Sequence, residues 1–391
     1  MFTLLLIIGC SQQEPIAPLA KTSALDDSEN LAYDEDGGRG VVKVMTWNIY
    51  VGTNVDYVLQ ASGLFDLTQR VAVAYDTFLQ TNFPERAQAI ARQIKKHRPH
   101  LVGLQEVSLV EHYDVDGQTR LEEYNFLQIL LEAMAAEGLN YQLADSVQNI
   151  DIILPRFIDF IPPATLIYDY IRLVDADVIL VNRDVQFSDP VKGKYTATLP
   201  VSIPNAPDII IPRGYVSVKA QVNHRTYRFI STHLEAFTEL VRLPQAQELA
   251  AVFASDTLPL IAVGDFNTGD PAPPNPYMDA TYQYLTGVQA GFVDTWVHNQ
   301  YGNQGSGYTS PFSAALLDPY PDLYQRIDLI LVKNYGSPSG QHLIGPVKAE
   351  VIGIKQRDRT VSGLWPSDHA GIAAQLHLRV PVAIAGNEIL E

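Results

Sequence analysis

The chain has 391 residues but a single cysteine, Cys10, so no intrachain disulfide can staple its fold. Cations are scarce as well: 27 lysines and arginines stand against 44 aspartates and glutamates, for a formal net charge of -17. That balance excludes a passive protein that tracks a nucleic-acid backbone, which needs a basic face. An enzyme that meets a phosphodiester briefly, through a bound cation, is still allowed. No uncharged apolar run reaches the roughly 18 residues that span a membrane, and no internal repeat occurs. What is abundant is material for a core. At 47% hydrophobic residues, the chain can build one large or two ordinary domains.

The N-terminus reads separately. Leu4 to Ile8 is an apolar run, followed by Gly9-Cys10-Ser11. A short apolar segment ending in a small residue before cysteine resembles a bacterial lipobox. The resemblance implies a signal segment over 1–10, lipidation of Cys10, and a protein outside the cytoplasm, lipid-anchored to a bacterial membrane or secreted. Met1-Phe2-Thr3 lacks the basic residues of such signals, and the alternatives are a mis-assigned start or a secretory signal whose cysteine is incidental. The tract over 11–40 favours the tether. Rich in Ser, Pro, Asp, Glu and Gly with little to bury, it reads as a disordered acidic linker.

From Val41 the pattern changes. VVKVMTWNI reads as a buried strand, and an irregular stretch follows it. FPERAQAIARQIKKHRP reads as a helix with Pro84 near its start and Pro99 as its stop. LVGLQEV is the next strand, and LEEYNFLQILLEAMAAEGL a strongly periodic helix ending at Gly138. Strand-like runs then dominate: YQLADSV, ADVILVN, GYVSVKAQV, YRFISTHL, PLIAVGDFN, RIDLILV and AGIAAQLHL, with a helix at PQAQELAAVFASD. Early βαβ signals followed by closely spaced strands predict a mixed or largely antiparallel pair of sheets flanked by helices. Ile150 to Arg172, apolar but broken by prolines and charges, reads as a core-packing excursion or short buried helix in preference to a membrane-touching rim. Gly302 to Asp322 reads as a long loop of the kind that forms lids or substrate walls.

Several of these apolar runs end in a polar residue. They are Asn48 in VMTWNIY, Glu106 in LVGLQEV, His233 in FISTHLE, Asp265 and Asn267 in LIAVGDFN, Asp328 in RIDLILV, and Asp368-His369 after Ser367. A hard divalent cation takes oxygen ligands, and Glu106, closing a buried strand where a lone carboxylate is costly, suits that role. Strand alternation puts Asp265 and Asn267 on one face and Phe266 on the other. A general-base imidazole needs its second nitrogen fixed by a carboxylate, and Asp328 is the candidate partner for His369. Each residue alone could be a turn cap.

Together, TWN, LQE, STHLE, GDFN, RIDLI and SDH in this order resemble the endonuclease/exonuclease/phosphatase superfamily, whose relatives include deoxyribonuclease I-like enzymes, neutral sphingomyelinases and inositol polyphosphate 5-phosphatases. The resemblance implies an α/β fold, a four-layer sandwich of two mixed sheets face to face with helices outside. It gives a catalytic domain over 41–382 and a tail over 383–391. It implies a site using Mg2+, or Mn2+ or Ca2+, with Glu106, Asn48 and Asp368 on the metal side. Asp265 and Asn267 lie by the scissile phosphate, His369 pairs with Asp328 as the water-activating base, and His233 contacts phosphoryl oxygen. The expected activity is phosphoester hydrolysis by in-line attack of water, foremost as an extracytoplasmic endonuclease-like phosphodiesterase acting on DNA or RNA. A sphingomyelinase-type phospholipid phosphodiesterase and a small-molecule phosphomonoesterase are the alternatives, and a monomer is expected. A surface-tethered binding module without catalysis is the reading from another class. Arg213 and Arg183 are weaker candidates for phosphate contact, and Asp175 and Asp177 for orienting His233.

Overall fold

The computed structural model describes residues 41–162, 165–269, 279–300, 305–333 and 344–378. Expectations for Cys10, the linker over 11–40 and the tail over 383–391 lie outside them.

Elements run in chain order from β1 (Val41–Asn48) through three helices, α1 (Val55–Leu59), α2 (Leu64–Gln80) and α3 (Phe83–His97). Next come β2 (Leu101–Gln105), β3 (Leu109–Tyr113), β4 (Arg120–Asn125) and α4 (Phe126–Ala136). A long hairpin follows, β5 (Tyr141–Ile161) and β6 (Thr165–Asn182). Then come β7 (Gln186–Lys194), two short strands β8 (Leu199–Val201) and β9 (Ile209–Ile211), β10 (Gly214–Val222) and β11 (Arg225–His233). The last part holds α5 (Glu239–Val252), β12 (Leu260–Asp265), α6 (Ala280–Thr286), β13 (Val293–Asp294), β14 (Asp328–Lys333), β15 (Ile344–Ile352) and β16 (Gly371–Leu378).

Two mixed sheets form. One has the order β15-β16-β1-β2-β6-β3-β4, with β5 paired to the free edge of β6, and the other β13-β14-β12-β11-β10-β7. The pairs β1–β2 and β11–β12 are parallel and the rest antiparallel. Strand alternation sorts the side chains into three apolar layers. Val42 and Val44 of β1 meet Ile261 and Val263 of β12 between the sheets. On the outer face of the first sheet, Met45 and Trp47 pack with Ile90 and Ile94 of α3 and Leu130 of α4. Leu260 and Ala262 pack with Leu249 of α5 and Leu285 of α6 on the outer face of the second. The result is the four-layer helix-sheet-sheet-helix sandwich expected.

Three local expectations need correction. LEEYN is strand β4, not the first turns of a helix, because Val110 to Leu109 pair it to β3 from Tyr124 to Asn125. The helix begins after Asn125, whose side chain accepts from the Gln128 N–H. Ile150 to Arg172 is neither a helix nor a core excursion but the outer part of the β5–β6 hairpin. Pro155 is tolerated there because β5 is an edge strand. Cross-strand ion pairs such as Arg172 to Asp151, at 2.8 Å, account for its charges. The irregular stretch after β1 contains α2, whose Leu67, Val71, Ala74, Tyr75 and Phe78 are buried at helical spacing.

The sheets approach each other closely near the end that bears the site. A Cβ on Gly103 would sit 2.4 Å from Cγ2 of Val263, so only glycine fits there. A polar rung spans the gap beside it: Gln105 accepts from the Thr46 hydroxyl at 3.4 Å and its amide donates to Oγ of Ser231 at 3.1 Å.

Candidate active site

The inward-facing rows of both sheets change character at this one end. Val42, Val44 and Thr46 lead to Asn48; Tyr227, Phe229 and Ser231 lead to His233; Ile261 and Val263 lead to Asp265; Val332 and Ile330 lead to Asp328. Register then sets neighbours side by side, His233 opposite Asp265 and Asp265 opposite Asp328. The site is the polar end of the inter-sheet core. Gly264 makes the close pairing here feasible, since at φ 153° a Cβ would collide with the Thr232 carbonyl 1.9 Å away.

Asp265 is the hub. Its Oδ2 accepts from the Asn48 amide at 3.2 Å and lies 3.5 Å from Nε2 of His233 and 3.8 Å from Nε2 of His369. Burial, countered by His369 and reinforced by Asp328, pushes its carboxyl up to about 6. His369 places Nδ1 2.8 Å from Oδ2 of Asp328, which leaves Nε2 facing the cleft. Burial opposes charge on this imidazole, but Asp328 and Asp265 outweigh it and hold the pKa well above the usual histidine value. Ser367 fixes the turn: its hydroxyl donates to the Asn48 carbonyl at 2.6 Å and accepts from the His369 N–H at 3.1 Å.

His233 behaves differently. Nη1 of Arg213 lies 3.1 Å from its Nδ1, and because arginine only donates, Nδ1 accepts and the proton sits on Nε2. Burial, then Arg213 and His369, hold its pKa well below the usual value, so it is a neutral donor. The orienting residue is therefore Arg213. Asp175 and Asp177 instead bind the Asn149 amide, at 3.1 Å each, and Arg183 is exposed and does not line the cleft.

Glu106 and Asp368 form the other side. The Glu106 carboxylate accepts from the Asn48 amide at 2.9 Å and the Val51 N–H at 2.7 Å. The Asn48 oxygen, expected toward a cation, accepts from the Tyr50 N–H at 3.0 Å. Burial first, then Asp175, raises the Glu106 pKa; burial and Glu106 raise Asp368 to about 7 against the opposing fields of His369 and Arg86. Two crowded carboxylates lining one cleft make a donor set of hard oxygens suited to Mg2+, Mn2+ or Ca2+. Among the described residues, Oδ1 of Asp328 is buried without a hydrogen-bond partner, although Asp328 itself does not line the cleft. Ligand atoms of Asp265, Asp328 and His369 also lie within 4.8 Å of one another, and within that group Asp328 is already hydrogen-bonded to Nδ1 of His369.

Asn267 lies past the end of β12 at φ 50°, so simple strand alternation does not place it; its amide donates to the Leu234 carbonyl at 2.9 Å. Both it and Asp265 line the cleft, while Phe266 joins the outer core. Tyr50 and Glu106 also have left-handed backbones, at φ 61° and 58°. Three strained residues around one cleft fit a preorganised site.

One residue escaped sequence reasoning. Arg86 of α3 is fully buried and donates to the carbonyls of Thr81, Ile49, Pro366 and Tyr50, tying the chain after β1 to the turn that carries Asp368 and His369. Its signal was present: spacing from Phe83 to Ala87 and Ile90 puts Arg86 on the apolar stripe, where a charge demands partners.

Solved structures of similar fold include an endonuclease/exonuclease/phosphatase from Bacteroides vulgatus, at 18% identity and TM-score 0.50 over 87% of this chain and 99% of that one. TDP2 from C. elegans is similar at 16% identity and TM-score 0.48, over 86% and 75%. A mannosyl-6-phosphatase from Bacteroides thetaiotaomicron is similar at 18% identity and TM-score 0.46, over 86% and 99%. No curated protein matches the chain. The sequence profile of the Endonuclease/Exonuclease/phosphatase family matches residues 45–369, a span that begins in β1 and ends at His369, and the chain belongs to that family.

Proposed function

We propose that the protein is a divalent-metal-dependent phosphoester hydrolase, acting on phosphodiesters by in-line attack of water. The observation that supports this best is the Asp328–His369 pair with Asp265 beside its free nitrogen. In its deprotonated form, His369 takes a proton from water at Nε2 as the water oxygen bonds to phosphorus and the opposite P–O ester bond breaks, the leaving oxygen departing with the electron pair and taking a proton from solvent, while Asp328 holds the ring and stabilises the imidazolium that results. Asp265 orients that water. His233, fixed as an Nε2–H donor by Arg213, hydrogen-bonds a phosphoryl oxygen where negative charge develops. Asn267, on the cleft wall, holds the phosphate from the other side. Glu106 and Asp368 would hold the cation, with Asn48 positioning Glu106, and when bound the cation supplies charge neutralisation at the phosphoryl oxygens.

Hydrolysis of bis(p-nitrophenyl) phosphate with Mg2+ or Mn2+ tests the reading. Turnover by the parent and its loss in His369→Ala is expected. Absence of turnover with every divalent ion, together with absence of metal binding by calorimetry, would replace it with the non-catalytic binding module. Attachment outside the cytoplasm through Cys10 is proposed alongside, from the lipobox-like sequence. Incorporation of labelled palmitate, abolished in Cys10→Ser, is the expected result.

A further inference from the structure

The cleft that contains Asp265 and His369 has a volume of about 900 Å3, near the upper end for small-molecule sites. Its lining is of two kinds. Along β6, alternation puts Ile171, Leu173, Asp175 and Asp177 on one face. Asp175 lines the cleft, as Glu106 does, and Leu173 and Ile171 extend that lining outward, opposite Ile152 and Leu154 of β5. Val71, Ala74 and Phe78 of α2 and Ile209 and Ile211 of β9 also line the cleft. Most of these belong to an apolar cluster separate from the inter-sheet core. The cleft is thus a polar centre continued by an apolar trough.

The outer end of the hairpin is apolar as well. Phe160 and Ile161 are 44% and 50% exposed, and Phe65 of α2, edge-on to Phe157 at 5.8 Å, is 47% exposed. Charge argues against a polyanion. Among the described residues that line the cleft, the permanent cations are Arg213, Arg242 and Arg326, against six acids. Arg242 faces Asp279 at 3.5 Å, Arg326 is bound to Asp294 at 2.6 Å, and Arg213 is engaged with His233. A nucleic-acid groove needs a row of free cations along the backbone.

We infer that the phosphoester taken by this site carries a long apolar chain: an amphiphile of the lipid class, its phosphate at Asp265 and His369 and its chain in the trough between β5–β6, α2 and β9. The position of the phosphate rests on the hydrolase reading; the trough does not.

Binding of n-alkylphosphonates of increasing length, measured by calorimetry with Mn2+ present, tests the trough independently of turnover. Affinity is expected to rise about fourfold per added methylene until the trough is filled. Ile152→Asn and Ile209→Asn, each checked for folding by circular dichroism, are expected to flatten that rise. An affinity independent of chain length overturns the inference, whatever the turnover. A length-dependent affinity without hydrolysis of any phosphodiester would sink the hydrolase reading and leave the trough standing. Turnover of phospholipid vesicles and plasmid DNA in parallel separates the substrate classes, and efficient DNA nicking with no lipid hydrolysis overturns the inference.

Discussion

Oδ2 of Asp328 accepts from Nδ1 of His369 at 2.8 Å across 41 residues of sequence, and the bond joins the two sheets, since Asp328 opens β14 and His369 lies just before β16. Asp328→Asn keeps the shape and removes the charge. The His369 pKa, raised by Asp328 and Asp265 against burial, then falls, and the unprotonated base appears at lower pH. Turnover is expected to drop roughly 100-fold or more while the acid limb of the pH–rate profile moves to lower pH. An unchanged limb would show that His369 is not the titrating base.

Arg86 satisfies four backbone carbonyls from inside the protein. Arg86→Met leaves them buried without a donor and is expected to lower the unfolding free energy by about 3 to 5 kcal/mol, read as a shift of the urea midpoint. Arg86→Lys should recover only part of it, because one ammonium cannot reproduce the planar fork. A loss under about 1 kcal/mol in Arg86→Met would show that water replaces the guanidinium.

Asp368, raised to about 7 by burial and by Glu106, is partly protonated near neutrality. A cation favours its ionised form, so metal binding at pH 6.5 should release protons, seen as calorimetric heats that vary with the buffer's ionisation enthalpy. Glu106→Gln is expected to weaken binding about 10- to 100-fold. Equal affinity in that variant would move the cation elsewhere.

Stability should fall with acid for a reason remote from catalysis. Burial first, and the nearby Lys43, push His97 and His100 down to about 4, with Lys96 and Lys355 acting on His97 against Glu350. Between pH 4 and 6.5 the unfolded chain binds more protons at these sites than the native one, so stability rises with pH through that window and is lost as pH falls. The contribution is on the order of a few kcal/mol. Urea midpoints from pH 7 to 4 check it, and His97→Phe should shrink the slope.

Much of this was legible in the sequence because the same residues state both fold and site. VVKVMTWN and PLIAVGD are strands by their apolar runs, and the polar residue that ends each run is the one the sheet brings to the cleft. Asp265 and Asp328 are far apart in sequence yet adjacent in register, and their positions at strand ends announced this. What was hidden depends on partners. Nothing in RGYVSVK says that Arg213 meets His233, because that contact joins a loop to a neighbouring strand. LEEYN carries helical periodicity into α4, but pairing with β3 overrides its local preference. The apolar segment from Ile150 became a hairpin for the same reason: β6 supplied an edge that a local pattern cannot show.

The close fit at Gly103 and Val263 has a further meaning. Asn48 ends a strand of one sheet, with Glu106 just past β2 of the same sheet, while His233, Asp265 and Asp328 end strands of the other, and the rows that end in Asn48, His233, Asp265 and Asp328 are the rows whose bulk keeps the sheets apart. The gap that packing sets is therefore the gap across which the two halves of the site face each other. A methyl group added or removed a few residues inside would act like a shim, opening or closing the jaws of a site it never touches. Evolution can adjust this site from beneath, through side chains with no chemistry of their own.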